Sequence, residues 1–408
     1  MTESAPRNLW QIFTAAPHRV MFFGGTLQLV LTMLWWLLDL ATRYGSGNPI
    51  SWTIAPNTAH LYLMIYGIFP FFMFGFLMTT FPRWMGGKEI PARLFVPAFL
   101  LMLAGVTLFY AGLLIKALLL AAVASTLAGW AIGLYALLQV LRQTKNPDKR
   151  HSAIAWVAFT LGWCGAACYL VWLLTDNYGW LTAAMHAGIW LFLLPVFFNV
   201  GHRMMPFFIA SAIQRIRLDR PDWPLTVILL SSAGHGLLQI LGHAEWTLLC
   251  DLPLAATAFY LGYAWNLRRC LGVPMVAVLH LGIFWLGVAM LLYGVQSLTL
   301  LATGQLGLGL APLHALTIGF FATVLLGMAT RVSLGHSGLS INPQRTTLLL
   351  FLLLQVAVLL RVAADLLPAQ LRGDLYIAAA SVWLLCFAAW ASFYLPLFLK
   401  PRADGFPG

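Results

Sequence analysis

Twelve times along its 408 residues the sequence runs apolar for about twenty positions, the length a helix needs to cross a hydrocarbon core roughly 30 Å thick. The runs lie at about 20–40, 58–80, 94–115, 117–140, 153–174, 181–203, 224–242, 246–266, 275–297, 311–331, 346–366 and 374–398. Backbone groups in lipid must bond within their own segment, so such runs admit helices and little else. The expected fold is an all-α integral membrane bundle of about twelve transmembrane helices. Composition agrees, with 61% of residues hydrophobic and only 9% charged, where soluble domains carry about 25% charge. The connecting segments are too short for a soluble domain, so 1–408 is read as a single polytopic membrane domain. Any chemistry must lie inside the bundle or at its two faces.

A net charge of +11 could point to nucleic acid, but its placement points to topology. With the amino terminus inside, 19 of the 23 Lys and Arg fall on the cytoplasmic side, among them Arg7, Arg19, Arg83, Arg203, Arg215, Arg217, Arg331 and Arg402. Arg43, Lys116, Arg361 and Arg372 fall elsewhere. This is the positive-inside asymmetry, which puts both termini in the cytoplasm and excludes a nucleic-acid surface. The first run, Val20–Leu40, is too long for the apolar part of a cleaved signal and is expected to remain as an anchor. The five cysteines lie in or at the ends of runs and imply no disulfide framework. Cys164 and Cys168 share a helical face and could bind a soft metal, though buried cysteine ordinarily serves packing.

His60, His186 and His314 stand near the starts of the second, sixth and tenth runs, 126 and 128 residues apart. Each of those runs closes on an arginine, in Phe-Pro-Arg83-Trp, His-Arg203-Met-Met-Pro and Ala-Thr-Arg331-Val-Ser. The recurrence predicts three pseudo-repeats of four helices, 1–148, 149–270 and 271–408.

Ionisable groups inside a span are costly and tend to be functional. The alternation of direction puts His60, His186 and His314 in the outer leaflet, with His243 at the outer end of the seventh run. His235 lies about 12 Å deeper, eight residues along the same helix. A second, inner layer is expected from His202, His280 and His336. Imidazoles from several helices at one depth suit axial ligation of haem, or copper. His60 and His314, from different repeats, are the expected axial pair, with His202 and His280 next. His186 with His235 or His243 is the expected metal site. Arg361 lies at the depth of His60 and could neutralise a haem propionate through its planar fork; a plain pair with Asp365, four residues on, is the competing role. His151 is expected in a cytoplasmic turn, and Glu245 and Asp251 at the outer border, where they could serve as proton donors, though loop solvation accounts for them as well.

At the tenth run the sequence resembles the NnrS family. The block His314-Ala-Leu-Thr-Ile-Gly-Phe-Phe-Ala-Thr-Val-Leu-Leu-Gly-Met-Ala-Thr-Arg331-Val-Ser-Leu-Gly-His336-Ser-Gly338 carries most of the likeness. His18-Arg-Val-Met-Phe-Phe23, Gly75-Phe-Leu-Met-Thr-Thr-Phe-Pro-Arg-Trp-Met-Gly86 and Arg203-Met-Met-Pro-Phe-Phe208 extend it over nearly the whole chain. The resemblance implies a twelve-span haem- and copper-containing protein of the bacterial cytoplasmic (inner) membrane, concerned with nitric oxide metabolism and resistance to nitrosative stress, often beside denitrification genes. One departure stands at the second run, where the family often carries His-x-His-Glu and this chain reads His60-Leu-Tyr62-Leu63. A haem–copper-oxidase-like architecture follows by analogy, since those enzymes also place metal-binding histidines on helices two, six, seven and ten of twelve. Their adjacent His-His pair and His-x-His are absent here.

The expected function is thus that of a haem-binding, and by the resemblance haem–copper, membrane protein acting on nitric oxide or buffering against it. Its partners would be the bilayer, nitric oxide or a related small molecule, and a redox partner, and a redox enzyme is one form it could take. The competing class is a multi-pass transporter of copper, haem or a small metabolite, which repeats and intramembrane histidines suit equally. Haem would be of the b type, because no Cys-x-x-Cys-His attachment motif is present.

Overall fold

The computed structural model describes residues 8–45, 47–213, 216, 218, 220–341 and 345–405, which leaves Arg7, Arg215 and Arg217 of the charge argument outside it. Among the described residues there is no strand. Twelve helices among these residues are long and apolar enough to cross a membrane: Pro17–Tyr44, Pro56–Met85, Ala92–Gly112, Ala117–Gln143, Arg150–Thr175, Tyr178–Ala212, Trp223–Ile240, Ala244–Ala264, Pro274–Thr303, Ala311–His336, Arg345–Leu366 and Ala369–Leu399. The multi-pass, all-helical fold expected from the apolar runs is therefore present.

Not all spans are equally interior. The most apolar windows of the second, sixth and tenth are 89%, 72% and 72% buried, whereas the third, fourth, fifth, seventh, eighth, eleventh and twelfth reach no more than 44%. These three are the core helices, and the others wrap them, the twelfth packing back on the first to close the bundle. Their meeting point is a triangle of rings. Phe197 stacks on Phe321 at 5.1 Å, and Phe69 meets Phe197 at 5.5 Å and Phe321 at 6.0 Å.

Each core helix also loosens at the same place. A π-helical stretch runs Leu63–Ile68 in the second span, Ala187–Leu193 in the sixth and Ala315–Ala322 in the tenth, just after the span's histidine in each case. A π turn takes in one more residue than an α turn, which rotates the helix on one side of it relative to the helix on the other. Close approach needs glycine there. A Cβ on Gly188 would sit 2.6 Å from Ile65, and one on Gly319 would sit 2.7 Å from the Trp285 ring. Buried hydrogen bonds across helices hold the rest, among them Tyr66 Oη donating to the Ala184 carbonyl at 2.6 Å and Trp390 Nε1 donating to Thr330 Oγ1 at 2.9 Å.

With twelve spans both chain ends lie on one face, where Arg19 donates to the Phe398 and Lys400 carbonyls at 3.2 and 2.8 Å. We call this the terminal face and the opposite one the distal face. The arginines closing the core helices are engaged there. Arg203 lies over Trp84 of the second span at 4.7 Å, and Arg331 over Phe208 of the sixth at 4.1 Å. Arg83 of the second span reaches the charge field of His336 in the tenth. Each core helix thus touches the next around a ring.

Candidate functional site: histidines at two levels

At the distal face the second and tenth spans bring His60 and His314 within charge range of each other and of Arg361. The His60 ring lies flat on Trp36 of the first span, with centroids 4.1 Å apart and planes 23° apart, and its Nδ1 is buried without a partner. His314 Nδ1 faces the Leu310 carbonyl at 3.0 Å. A carbonyl only accepts, so Nδ1 carries the proton and Nε2 keeps its lone pair. Two imidazoles from different spans each therefore have a nitrogen free of protein donors.

The neighbouring guanidiniums are neutralised. Arg361 binds Asp365 at 2.7 Å, lies over the Tyr376 ring at 4.3 Å, and Tyr376 Oη donates to the same carboxylate at 2.7 Å. The i,i+4 pair read from the sequence is present. Arg43 is paired with Asp39, which also accepts from Trp52 Nε1 at 2.9 Å.

A second pair forms where the sixth span meets the seventh. His186 is buried, leaves Nδ1 without a partner, and lies within charge range of His235. His235 is held on every side. Its ring stacks on Trp190 with centroids at 3.6 Å, Nδ1 bonds Asp251 Oδ1 at 2.6 Å, and Gln239 Nε2 approaches its Nε2 at 3.4 Å. A carboxylate on Nδ1 leaves Nε2 as the electron-donating nitrogen, the arrangement that second-shell carboxylates impose on metal-binding histidines. The solvated border expected for Asp251 is not where it lies. It is fully buried, because its helix reaches Ala244–Ala264 and turns it onto His235. His243 remains exposed beside Glu245, and no described contact joins it to His186 or His235.

The terminal half holds the other imidazoles. His202 Nε2 faces the Pro221 carbonyl at 2.9 Å, so it is the donor there, and His202 Nδ1 faces His151 Nε2 at 3.2 Å. Both nitrogens of His202 are thereby committed. His151, expected in a turn, is 1% exposed, because the fifth helix already begins at Arg150. His280 is also 1% exposed, with neither nitrogen partnered. His18 and His336 meet with centroids 4.4 Å apart.

On the terminal side of the phenylalanine triangle lies a cavity of about 60 Å³ among the core helices. It is lined by apolar side chains such as Met73, Phe197, Val200, Leu325 and Ala329. Among the described residues no group of three or more His, Cys, Asp or Glu comes together at metal-binding distance.

Sequence reasoning places Asp251 and His151 in solvated borders and turns, where the structure buries both, and passes over the aromatic partners Trp36, Trp190 and Tyr376. Asp251 leaves a trace, an acid inside Leu-Leu-Cys-Asp-Leu-Pro-Leu. The aromatic partners lie elsewhere in the sequence and leave none.

Residues 12–402 match the family described as NnrS protein, nearly the whole chain, and the chain belongs to that family. No curated protein matches it.

Proposed function

We propose that this member of the NnrS family is a haem-binding membrane protein that takes up nitric oxide in metabolism or in resistance to nitrosative stress. Family membership fits a nitric oxide-related function. The observation that carries the haem reading is the convergence of His60, His314 and Arg361 at one end of the core helices. The donor set fits the group. Two imidazoles come from different spans with a nitrogen each available, and Arg361 and Arg43 stand by for propionates, in exchange for Asp365 and Asp39. When bound, haem iron would supply the coordination chemistry for nitric oxide. The protein's part is to fix the rings: Trp36 orients His60, and the Leu310 carbonyl sets the tautomer of His314.

Copper is the second proposed metal, at His186 and His235, with Asp251 holding the ring of the latter. Two imidazoles are too few for a closed structural zinc site, which takes four ligands. The recurrence of a histidine, a π turn, a core phenylalanine and a closing arginine in each core helix supports three four-helix units. We assign the terminal face to the cytoplasm of a bacterial inner membrane, on the distribution of Lys and Arg.

The cavity favours a gas over a transported ion. About 60 Å³ without polar lining admits a diatomic molecule and offers nothing to a hydrated cation. The visible spectrum of the purified protein separates the two classes. A Soret band that shifts on adding nitric oxide is the expected result. Protein that stays colourless after haem supplementation during expression would leave the transporter reading.

A further inference from the structure

Three stretches that the haem and copper sites leave unused converge at the terminal face: His18-Arg19, the Pro-Arg83 end of the second span, and His336-Ser-Gly338. The carboxyl-terminal segment joins them through Arg402, and Ala403 N donates to the Ser337 carbonyl at 2.9 Å. His18 and His336 lie ring to ring, and Arg19, Arg83 and Arg402 are all within charge range of both.

Ordinary positive-inside residues extend into water or lipid headgroups. Arg19 does not. It is 2% exposed, as is His18, and it turns inward onto two backbone carbonyls, with its Nε buried and without a partner. A buried guanidinium normally keeps a carboxylate beside it, because a lone charge in a low dielectric is costly. The carboxylate that the described contacts bring here is Asp404, which takes Arg402 through two hydrogen bonds at 2.9 and 2.6 Å. Among the described residues three guanidiniums thus face one carboxylate, and two imidazoles add N–H donors.

That charge balance decides what the site can hold. A metal cation between His18 and His336 would sit among three positive groups, so the histidine pair is a poor metal site despite its spacing. An anion meets the opposite field, with planar forks and ring N–H groups as donors. We propose that His18, Arg19, Arg83, His336 and Arg402 form a binding site for a small soluble oxyanion. A lipid phosphate is the less suitable occupant, because the innermost two groups, His18 and Arg19, are closed to the membrane surface.

The full-length protein in detergent tests this through its unfolding temperature. Sodium nitrite, nitrate and phosphate are titrated against sodium chloride at constant ionic strength. A saturable rise with at least one oxyanion, absent with chloride, is expected. Arg402→Gln and His336→Gln should each raise the midpoint concentration at least tenfold. Arg372→Gln, on the exposed distal face, should leave it unchanged. Arg19→Gln should abolish the response, and the two milder variants keep the test decisive where Arg19→Gln fails to fold. No saturable response, an equal response to chloride, or midpoints within twofold of wild type in both Arg402→Gln and His336→Gln would overturn the proposal. So would loss of the nitrite response in nanodiscs when phosphatidylglycerol replaces phosphatidylcholine, since the anionic headgroup of that lipid would then be the occupant.

Discussion

The distal and terminal faces use the same two residue types, histidine and arginine, to opposite effect. At the distal face the two arginines beside the histidines are each matched by a carboxylate four residues away, Arg43 with Asp39 and Arg361 with Asp365. The histidines there rest on aromatic rings or backbone and keep a nitrogen open. At the terminal face His151 and His202 bond one another, and His18 and His336 lie against guanidiniums outnumbering their carboxylate. A neutralised surround lets an imidazole donate its lone pair to a metal, whereas a cationic one repels the metal and favours an anion. Residue type and depth are therefore insufficient to assign chemistry; the local charge balance decides it.

The largest effect is expected from removing the distal histidines one at a time and comparing spectra. His314→Ala is expected to abolish or shift the Soret band of haem-loaded protein. His60→Ala should do the same. If both keep full haem content and an unaltered spectrum, the distal assignment is wrong and His280, the terminal-half imidazole with both nitrogens free, becomes the next candidate.

A smaller effect is expected one layer out from the metal. Asp251→Asn keeps the size of the side chain while removing the charge that fixes His235. Copper affinity, measured by competition with a chelator, should fall about 10- to 100-fold, the usual cost of losing a second-shell carboxylate. An unchanged affinity would mean that His235 is a packing residue held by Trp190.

His151→Ala sharpens the contrast from the other side. It leaves His202 Nδ1 buried without its donor, which costs about 1–3 kcal/mol, visible as a lower unfolding temperature. The haem spectrum should not change. Spectral loss would show that the terminal half holds the haem after all.

The range of each interaction decides how much of this is open to sequence reasoning. The twelve spans are legible because hydrophobic length is a local property, and Arg361–Asp365 because four residues is one helical turn. The core identity of the second, sixth and tenth spans shows only as a repeated histidine and arginine. The π turns leave no trace, since one extra residue in a turn changes neither composition nor hydropathy. His151 with His202, and His18 with His336, are pairs 51 and 318 residues apart that only packing creates.

The smallest expected effect concerns the cavity on the terminal side of the phenylalanine triangle. If the cavity serves an apolar gas, it should take up xenon, as dry apolar cavities do. Ala329 is 3% exposed and lines it, so Ala329→Leu puts three added carbons into the void. Overpacking of this kind costs about 1–3 kcal/mol where neighbours cannot yield, but an existing void absorbs part of that. The variant should therefore fold, keep the distal haem spectrum, and lose the xenon signal in ¹²⁹Xe NMR. Rebinding of nitric oxide after flash photolysis should slow a few-fold, because a molecule released from the iron loses a place to wait within the bundle. Mutation of Phe197 to Ala opens the same cavity toward the distal side and should act in the reverse sense. Unchanged rebinding in both variants, with xenon uptake abolished only in Ala329→Leu, would separate the cavity from the path of the gas and leave it a packing defect between the core helices.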